Sequence, residues 1–158
     1  MISVSWNEIN RLSLNIVSII KNKNVQYDCI IGISRSGLVP AVIIAHALGE
    51  RNFEAISIKR NKTDNINSEK IFPNIEDDVG LLMAKKYSHW IVIDDIVGSG
   101  ETIKYIRKKF TVPNRTIFVA SLFFNSSNGD VTKINNLVDY FAQEEQSWVR
   151  FPWEKHLE

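Results

Sequence analysis

Disulfides are excluded at once, because the 158-residue chain holds a single cysteine, Cys29. A lone thiol fits a reducing compartment. Charge of one sign is missing too: 19 Lys and Arg stand against 18 Asp and Glu, a formal net charge of +1. No global field therefore points to nucleic acid or to an anionic membrane surface. No apolar run reaches membrane-spanning length, and the residues after Met1 lack the basic-then-apolar layout of a secretory signal. The expected location is cytoplasmic. Repeats and low-complexity tracts are absent, and His46, His89 and His156 show no metal-ligand spacing. What remains is a chain with 44% hydrophobic residues, enough for one domain over residues 1–158 with a single core.

The pattern alternates strands with helices. "SWNEINRLSLNIVSIIKN" places Ser5 and Glu8 at capping-box spacing, and Ile9, Leu12, Ile16 and Ile19 follow with helical period. "YDCIIGIS" (27–34) is a short apolar, β-branched run that predicts a buried strand. "SGLVPAVIIAHALG" predicts a helix, with Pro40 near its start and Gly49 just past its end. "FEAISIK" (53–59), "HWIVID" (89–94), "RTIFVASLFF" and "LVDYFA" predict four more strands, and "ETIKYIRKKF" another helix. The fold class expected is α/β, a doubly wound, mainly parallel five-stranded sheet of order 2-1-3-4-5. Residues 60–80 are polar and aperiodic, which suits a flexible lid loop. The chain then ends in an aromatic segment, "SWVRFPWE", that should fold back on the body as a small hood over about 143–156.

In such a sheet, ligands bind where the winding reverses, at the carboxyl ends of the first and third strands. The first strand ends in "SRSG" (34–37), the third in "DDIVGSGET" (94–102). Both are small-residue turns that lead into helices, and helix amino termini suit phosphate. Two cradles at one switch point suggest a ligand with two separate phosphate groups. Asp94 and Asp95 can accept hydrogen bonds from vicinal hydroxyls or hold Mg²⁺ through water. The plainer alternative for the pair is a solvated turn with a helix-capping acid.

These stretches carry a family resemblance. "IVIDDIVGSGET" resembles the binding motif for phosphoribosyl pyrophosphate (PRPP) of type I phosphoribosyltransferases, and "IIGISRSGLVPAVIIAHALG" resembles their pyrophosphate loop and the helix after it. "SWVRFPWE" is similar to the carboxyl-terminal hood of the purine branch, especially the short bacterial xanthine-guanine enzymes. The resemblance implies a Mg²⁺-dependent transfer of a phosphoribosyl group from PRPP to a purine-like base. Asp94 and Asp95 would face the ribose hydroxyls and the metal. The backbone of Val97, Gly98, Ser99, Gly100, Glu101 and Thr102, with the Ser99 and Thr102 hydroxyls, would hold the 5′-phosphate. Ser34, Arg35, Ser36 and Gly37 would hold pyrophosphate, with Arg35 as its cation and a cis peptide expected at Arg35–Ser36. Trp148 would stack on the base, Val149 would offer it main-chain groups, and Glu154 would reach a metal-bound water. Asp94, Asp95 and Arg35 are thus the catalytic candidates. For Trp148, Phe151 and Trp153, packing of the tail onto the core is the competing role. The expected partners are PRPP and a nucleobase, with a homodimer or homotetramer by analogy.

Two positions depart from the purine pattern. The family's usual Asp for the base nitrogen is Gly98 here, and glycine does no acid–base chemistry. The usual Lys that reads the purine 6-oxo group is Asn125, whose amide brings hydrogen bonds but no full charge. They leave two rivals open: a PRPP-binding regulator without turnover, and a transferase with a non-purine acceptor. Glu101, beside a phosphate site, should point outward and complement the helix dipole. Lys59, Arg60 and Lys62 could add charge against pyrophosphate, although a solvated basic loop is the simpler reading. "GSGET" lacks the lysine of a nucleoside-triphosphate loop.

Overall fold

A computed structural model of the chain describes residues 1–58 and 79–154. Most of the 60–80 lid, Lys59, Arg60, Lys62 and His156 lie outside the described residues. The elements are β1 (Ile2–Ser3), α1 (Trp6–Asn22), β2 (Cys29–Ser34), α2 (Leu38–Leu48), β3 (Phe53–Ser57), α3 (Val79–Ala84), β4 (His89–Val97), α4 (Glu101–Phe110), β5 (Thr116–Asn125), α5 (Val131–Ile134), β6 (Tyr140–Glu145), β7 (Val149–Arg150) and a 3-10 turn, Pro152–Glu154.

The main sheet has five parallel strands in the order β3-β2-β4-β5-β6, the doubly wound order expected. Its two faces are covered separately. On one, Ile9, Leu12, Ile16 and Ile20 of α1 and Ile44 of α2 pack against Ile30, Ile91 and Phe123. On the other, Leu81 of α3 and Ile103 and Ile106 of α4 pack against Ile31, Val92 and Val119. Adjacent β2 and β4 residues thus face opposite layers, as strand alternation requires. In α1 the capping box forms as expected: Ser5 Oγ accepts the Glu8 N–H at 3.2 Å, and Glu8 accepts the Ser5 N–H at 2.9 Å. Ile20, not Ile19, completes the buried stripe, because 3.6 residues per turn carry the face from Ile16 to Ile20.

Several elements fall outside the sequence expectation. β1 pairs with β7 in parallel, Ile2 opposite Val149, and ties the amino terminus to the hood. α3 begins at Val79, so the lid stretch ends two residues early, where Leu81 and Ala84 find the core. β6 runs through Glu145, which gives residues 143–145 to the sheet and starts the hood after them. Among the described residues, no helix is long and apolar enough to cross a membrane.

The registers set where strands end. The Asp28 carboxylate accepts the N–H groups of Ser88 at 2.9 Å and His89 at 2.7 Å, which pins the start of β2 to β4. Cys29 then lies opposite Trp90 and Gly32 opposite Ile93. Both central strands consequently reach the same end of the sheet together.

Candidate active site

Helices α2 and α4 begin at that shared end, and their starts differ from the others. Both N-caps are glycines, Gly37 and Gly100, with no side-chain cap. By contrast, α1 has its full capping box, and Asp130 caps α5 by accepting the Thr132 N–H at 2.9 Å. A helix start exposes N–H groups and the positive end of the dipole, so an uncapped one is an anion site. The loop before α2 is itself compact: Leu38 donates to Arg35 O at 3.1 Å and Val39 to Ser36 O at 3.2 Å. Those two N–H groups are therefore used inside the loop. Among the described residues, no acceptor takes the Ser36 or Gly37 N–H.

Gly37 shows how the two loops meet. A Cβ on it would stand 2.6 Å from Ile33 O, 2.9 Å from Ile93 O and 3.1 Å from Asp94 Cα. The loop after β2 therefore lies directly on the end of β4, beside the acidic pair. Gly100 has φ +75°, a left-handed conformation that glycine adopts without penalty. A Cβ there would meet Ile134 and Leu137 at 2.8 and 2.9 Å. The cis peptide sits at Ser34–Arg35, not at Arg35–Ser36 as expected, because the chain turns at the bond that leaves β2.

Asp94 and Asp95 end up half-buried and buried, respectively. Asp94 Oδ1 accepts the Asp95 N–H at 3.0 Å. Burial, and then the neighbouring charge of Asp95, push the Asp94 carboxyl well above the usual range. Burial also pushes Asp95 up to about 6, against hydrogen bonds from Asp94 and the Ile96 backbone, and Glu154 adds to the rise. Two mutually repelling acids this close, one buried and one half-buried, are unfavourable without a cation. They become favourable when a divalent cation or a pair of hydroxyl donors arrives. Among the described residues, no three carboxylates, histidines or cysteines form a metal cage. That donor set still fits Mg²⁺, which keeps several waters and takes one or two carboxylates plus substrate phosphates. Glu154 gives one oxygen to its own turn, with Oε2 accepting the Phe151 N–H at 2.9 Å.

The hood divides its aromatic residues by role. Phe151 and Trp153 stack with centroids 4.6 Å apart and planes 7° from parallel. Phe151 also meets Phe123 edge-on at 5.8 Å, and Trp153 meets Trp6 at 5.8 Å. These two hold the segment down. Trp148, by contrast, is 40% exposed. The β1–β7 pairing uses Trp148 O and Arg150 O, which accept from Ile2 and Val4 at 2.8 and 3.0 Å. Alternate strand residues point their backbone groups to opposite edges, so the N–H and C=O of Val149 face away from β1.

Asn125 closes β5 opposite Glu145, and Ser126 donates to Glu145 O at 3.0 Å. Trp148 lies three residues beyond Glu145, and Val149 joins Phe123 and Phe151 in the core of the hood face. Glu101 is exposed, as expected for a first-turn acid. Gly98 has open space: a Cβ there meets only Asn128 Cβ, at 3.4 Å. Sequence reasoning passed over Ser127 and Asn128, although "NSSNGD" carries the polar composition of a side-chain-bonded turn. His46 is exposed, and His89 Nδ1 lies 2.9 Å from Thr116 Oγ1 at the opposite end of β4, so neither histidine joins the site.

Known proteins match this arrangement along nearly the whole chain. The chain is 28% identical over 158 residues to a xanthine-guanine phosphoribosyltransferase of Idiomarina loihiensis, covering 98% of this chain and 87% of that one. The purine phosphoribosyltransferase of Pyrococcus horikoshii superposes with a TM-score of 0.69 at 22% identity, over 98% and 93% of the two chains. A hypothetical Neisseria gonorrhoeae protein with bound ppGpp superposes with a TM-score of 0.76 at 20% identity, over 97% and 88%. The phosphoribosyl transferase domain model matches residues 5–157. With the two glycine-capped helix starts and the acidic pair between them, that match places the chain in the phosphoribosyltransferase family.

Proposed function

We propose that this phosphoribosyltransferase uses PRPP and Mg²⁺ to convert a purine base into its nucleoside monophosphate. The observation that carries the reading is the pair of uncapped helix starts, at Gly37 and Gly100, on either side of Asp94 and Asp95. PRPP has a phosphate at one end of its ribose, a pyrophosphate at the other and two hydroxyls between. The α4 start, with Val97 to Thr102, takes the 5′-phosphate. The loop of Ser34, Arg35, Ser36 and Gly37 takes pyrophosphate, and the Arg35 guanidinium offsets its charge. Asp94 and Asp95 take the ribose hydroxyls.

In the reaction the bond from the anomeric carbon to pyrophosphate breaks with both electrons leaving on oxygen. A base nitrogen forms the new bond to that carbon, and its proton passes to solvent water, since Gly98 offers no carboxylate to take it. Positive charge on the ribose ring is favoured by the nearby carboxylates, and positioning supplies much of the remaining rate. Bound Mg²⁺, held by Asp94 and Asp95 with Glu154 at its edge, would neutralise charge on the leaving pyrophosphate. Trp148 stacks on the base and Val149 offers it a backbone edge. The purine branch is supported by the 28% identity to the xanthine-guanine enzyme and by the hood.

The test is incubation with PRPP, Mg²⁺ and a panel of bases while pyrophosphate and nucleotide are measured. Turnover of guanine, xanthine or hypoxanthine is expected. Tight PRPP binding with no turnover on any base would overturn transfer and favour a PRPP-binding regulator; turnover of a non-purine alone would relocate the acceptor. Asp95→Ala should abolish PRPP binding, and unchanged affinity would refute the site.

A further inference from the structure

The amide of Asn125 is fixed in one orientation, and Ser127 fixes it. Asn125 Oδ1 accepts the Ser127 backbone N–H at 3.0 Å and the Ser127 Oγ–H at 2.6 Å. A backbone N–H can only donate, so the group facing Ser127 must be the amide oxygen. A flipped amide would set NH₂ against the backbone N–H and lose that bond, although the hydroxyl could turn to accept. The Nδ2 group is thereby turned away from the loop with its two donors. Among the described residues, no acceptor takes them. Phe123 lies against Phe151 of the hood, and Phe124 lies against Phe141 on the opposite layer. Strand alternation then puts the Asn125 side chain on the hood face, where Trp148 and Val149 come together.

We propose that Ser127 is a specificity-determining positioning residue: it locks Asn125 as a donor-only reader of the base edge. The inference rests on the proposed transfer to a purine base. An asparagine amide would ordinarily accept or donate by rotating, and so would tolerate an oxo or an amino substituent alike. With its oxygen held by Ser127, Asn125 presents only N–H. A base with an oxo group at that edge is bonded, whereas an amino group would face like donors and leave both unpaired. Ser127 reproduces, with two neutral groups, a discrimination that a cationic side chain would give by charge. Ser127 itself is exposed, so its replacement leaves the core untouched.

The experiment compares kcat/KM for hypoxanthine and adenine, which differ in 6-oxo against 6-amino, and measures PRPP affinity alongside. For Ser127→Ala, which removes the hydroxyl but keeps the backbone N–H, the hypoxanthine-to-adenine ratio should fall about threefold, and for Ser127→Pro, which removes the backbone N–H as well, about tenfold, in each case through KM for hypoxanthine with PRPP affinity unchanged. Ser127→Thr keeps the hydroxyl and should restore the ratio. Asn125→Asp, which presents only acceptors, should lose hypoxanthine turnover while keeping PRPP binding. If the unmodified protein uses hypoxanthine and both Ser127→Ala and Ser127→Pro leave the ratio unchanged with PRPP affinity intact, the lock is refuted and the transferase reading stands. If the unmodified protein binds PRPP but turns over none of hypoxanthine, guanine, xanthine and adenine, both readings fall.

Discussion

Arg107 and Asp139 form a 2.6 Å ion pair that joins α4 to the segment entering β6. The rest of the guanidinium is engaged as well: Nε donates to Leu137 O at 2.7 Å and Nη1 to Ile117 O at 3.1 Å. Asp139 Oδ2 also accepts the Val119 N–H at 2.7 Å. One side chain therefore fixes the rear of α4 against β5 and the segment entering β6, and α4 carries the Gly100 start proposed to face phosphate at its other end. Lysine cannot make this fork. Arg107→Lys should lower the unfolding free energy by about 2 kcal/mol in urea titration, less than the full cost of an orphaned buried charge because the pair is partly exposed. A change below about 0.5 kcal/mol would show that these bonds are replaced by water at no cost.

The acidic pair sets a pH dependence opposite to that of most carboxylates. Burial raises Asp95 to about 6, so the folded protein binds a proton there that the unfolded chain has lost. Stability from this group is fully present below about pH 4, is lost as pH rises through about 6, and stays lost at neutral pH. Asp95→Asn removes the loss. In the absence of ligand, the variant should melt several degrees above the unmodified protein at pH 7.5, with the difference shrinking towards pH 4. Adding PRPP and Mg²⁺ should raise the melting temperature of the unmodified protein only. A variant that melts lower at pH 7.5 would mean that Asp95 is stabilised by partners in the folded protein.

Cys29 offers a simpler check on the core. It is fully buried in β2, and burial, then the charge of Glu54, push its thiol up to about 12. The thiolate is the reactive form, so the folded protein should not react with a disulfide reagent at pH 8. Stoichiometric reaction of one thiol is expected in urea above the unfolding midpoint. Rapid labelling of the native protein would require β2 to open locally.

Features encoded by neighbouring residues were readable, and features made by distant contacts were not. The capping box at Ser5 and Glu8 and the Gly49 helix end are local patterns, and they form as expected. β4 was expected to stop at Asp94, because paired carboxylates are poor strand formers. Pairing of Ile96 with Phe123 and Val97 with Phe124 carries it on to Val97. β1 and β7 have two residues each, too short to show a period. The switch-point loops were legible because glycine, serine and acid occur together in them. What could not be read is which way a side chain turns. The sequence offers Asn125 as a base reader, but its orientation depends on Ser127, and the open space over Gly98 depends on the loop that brings Asn128 there.

Gly37 and Gly98 should respond oppositely to added side chains. At Gly37 a Cβ would fall 2.6 Å from one backbone oxygen and 2.9 Å from another. Neither can move without disturbing β2 or β4, so Gly37→Ala should reduce PRPP affinity by at least tenfold and cost about 2 kcal/mol of stability. At Gly98 an added Cβ would meet, among the described residues, only the Asn128 Cβ, at 3.4 Å, and φ lies outside the left-handed region. Gly98→Ala should therefore change stability by less than about 0.5 kcal/mol. Gly98→Asp adds the carboxylate that the resemblance to the purine enzymes leads one to expect at this position, where the proposed transfer would use it as a proton acceptor. It should fold normally and raise kcat for a 6-oxopurine base by tenfold or more, with a new acidic limb in the pH–rate profile. Melting curves would show whether the space is open, and steady-state kinetics would show whether the proton needs a fixed acceptor. Equal kcat for the two proteins would mean that proton removal from the base does not limit turnover.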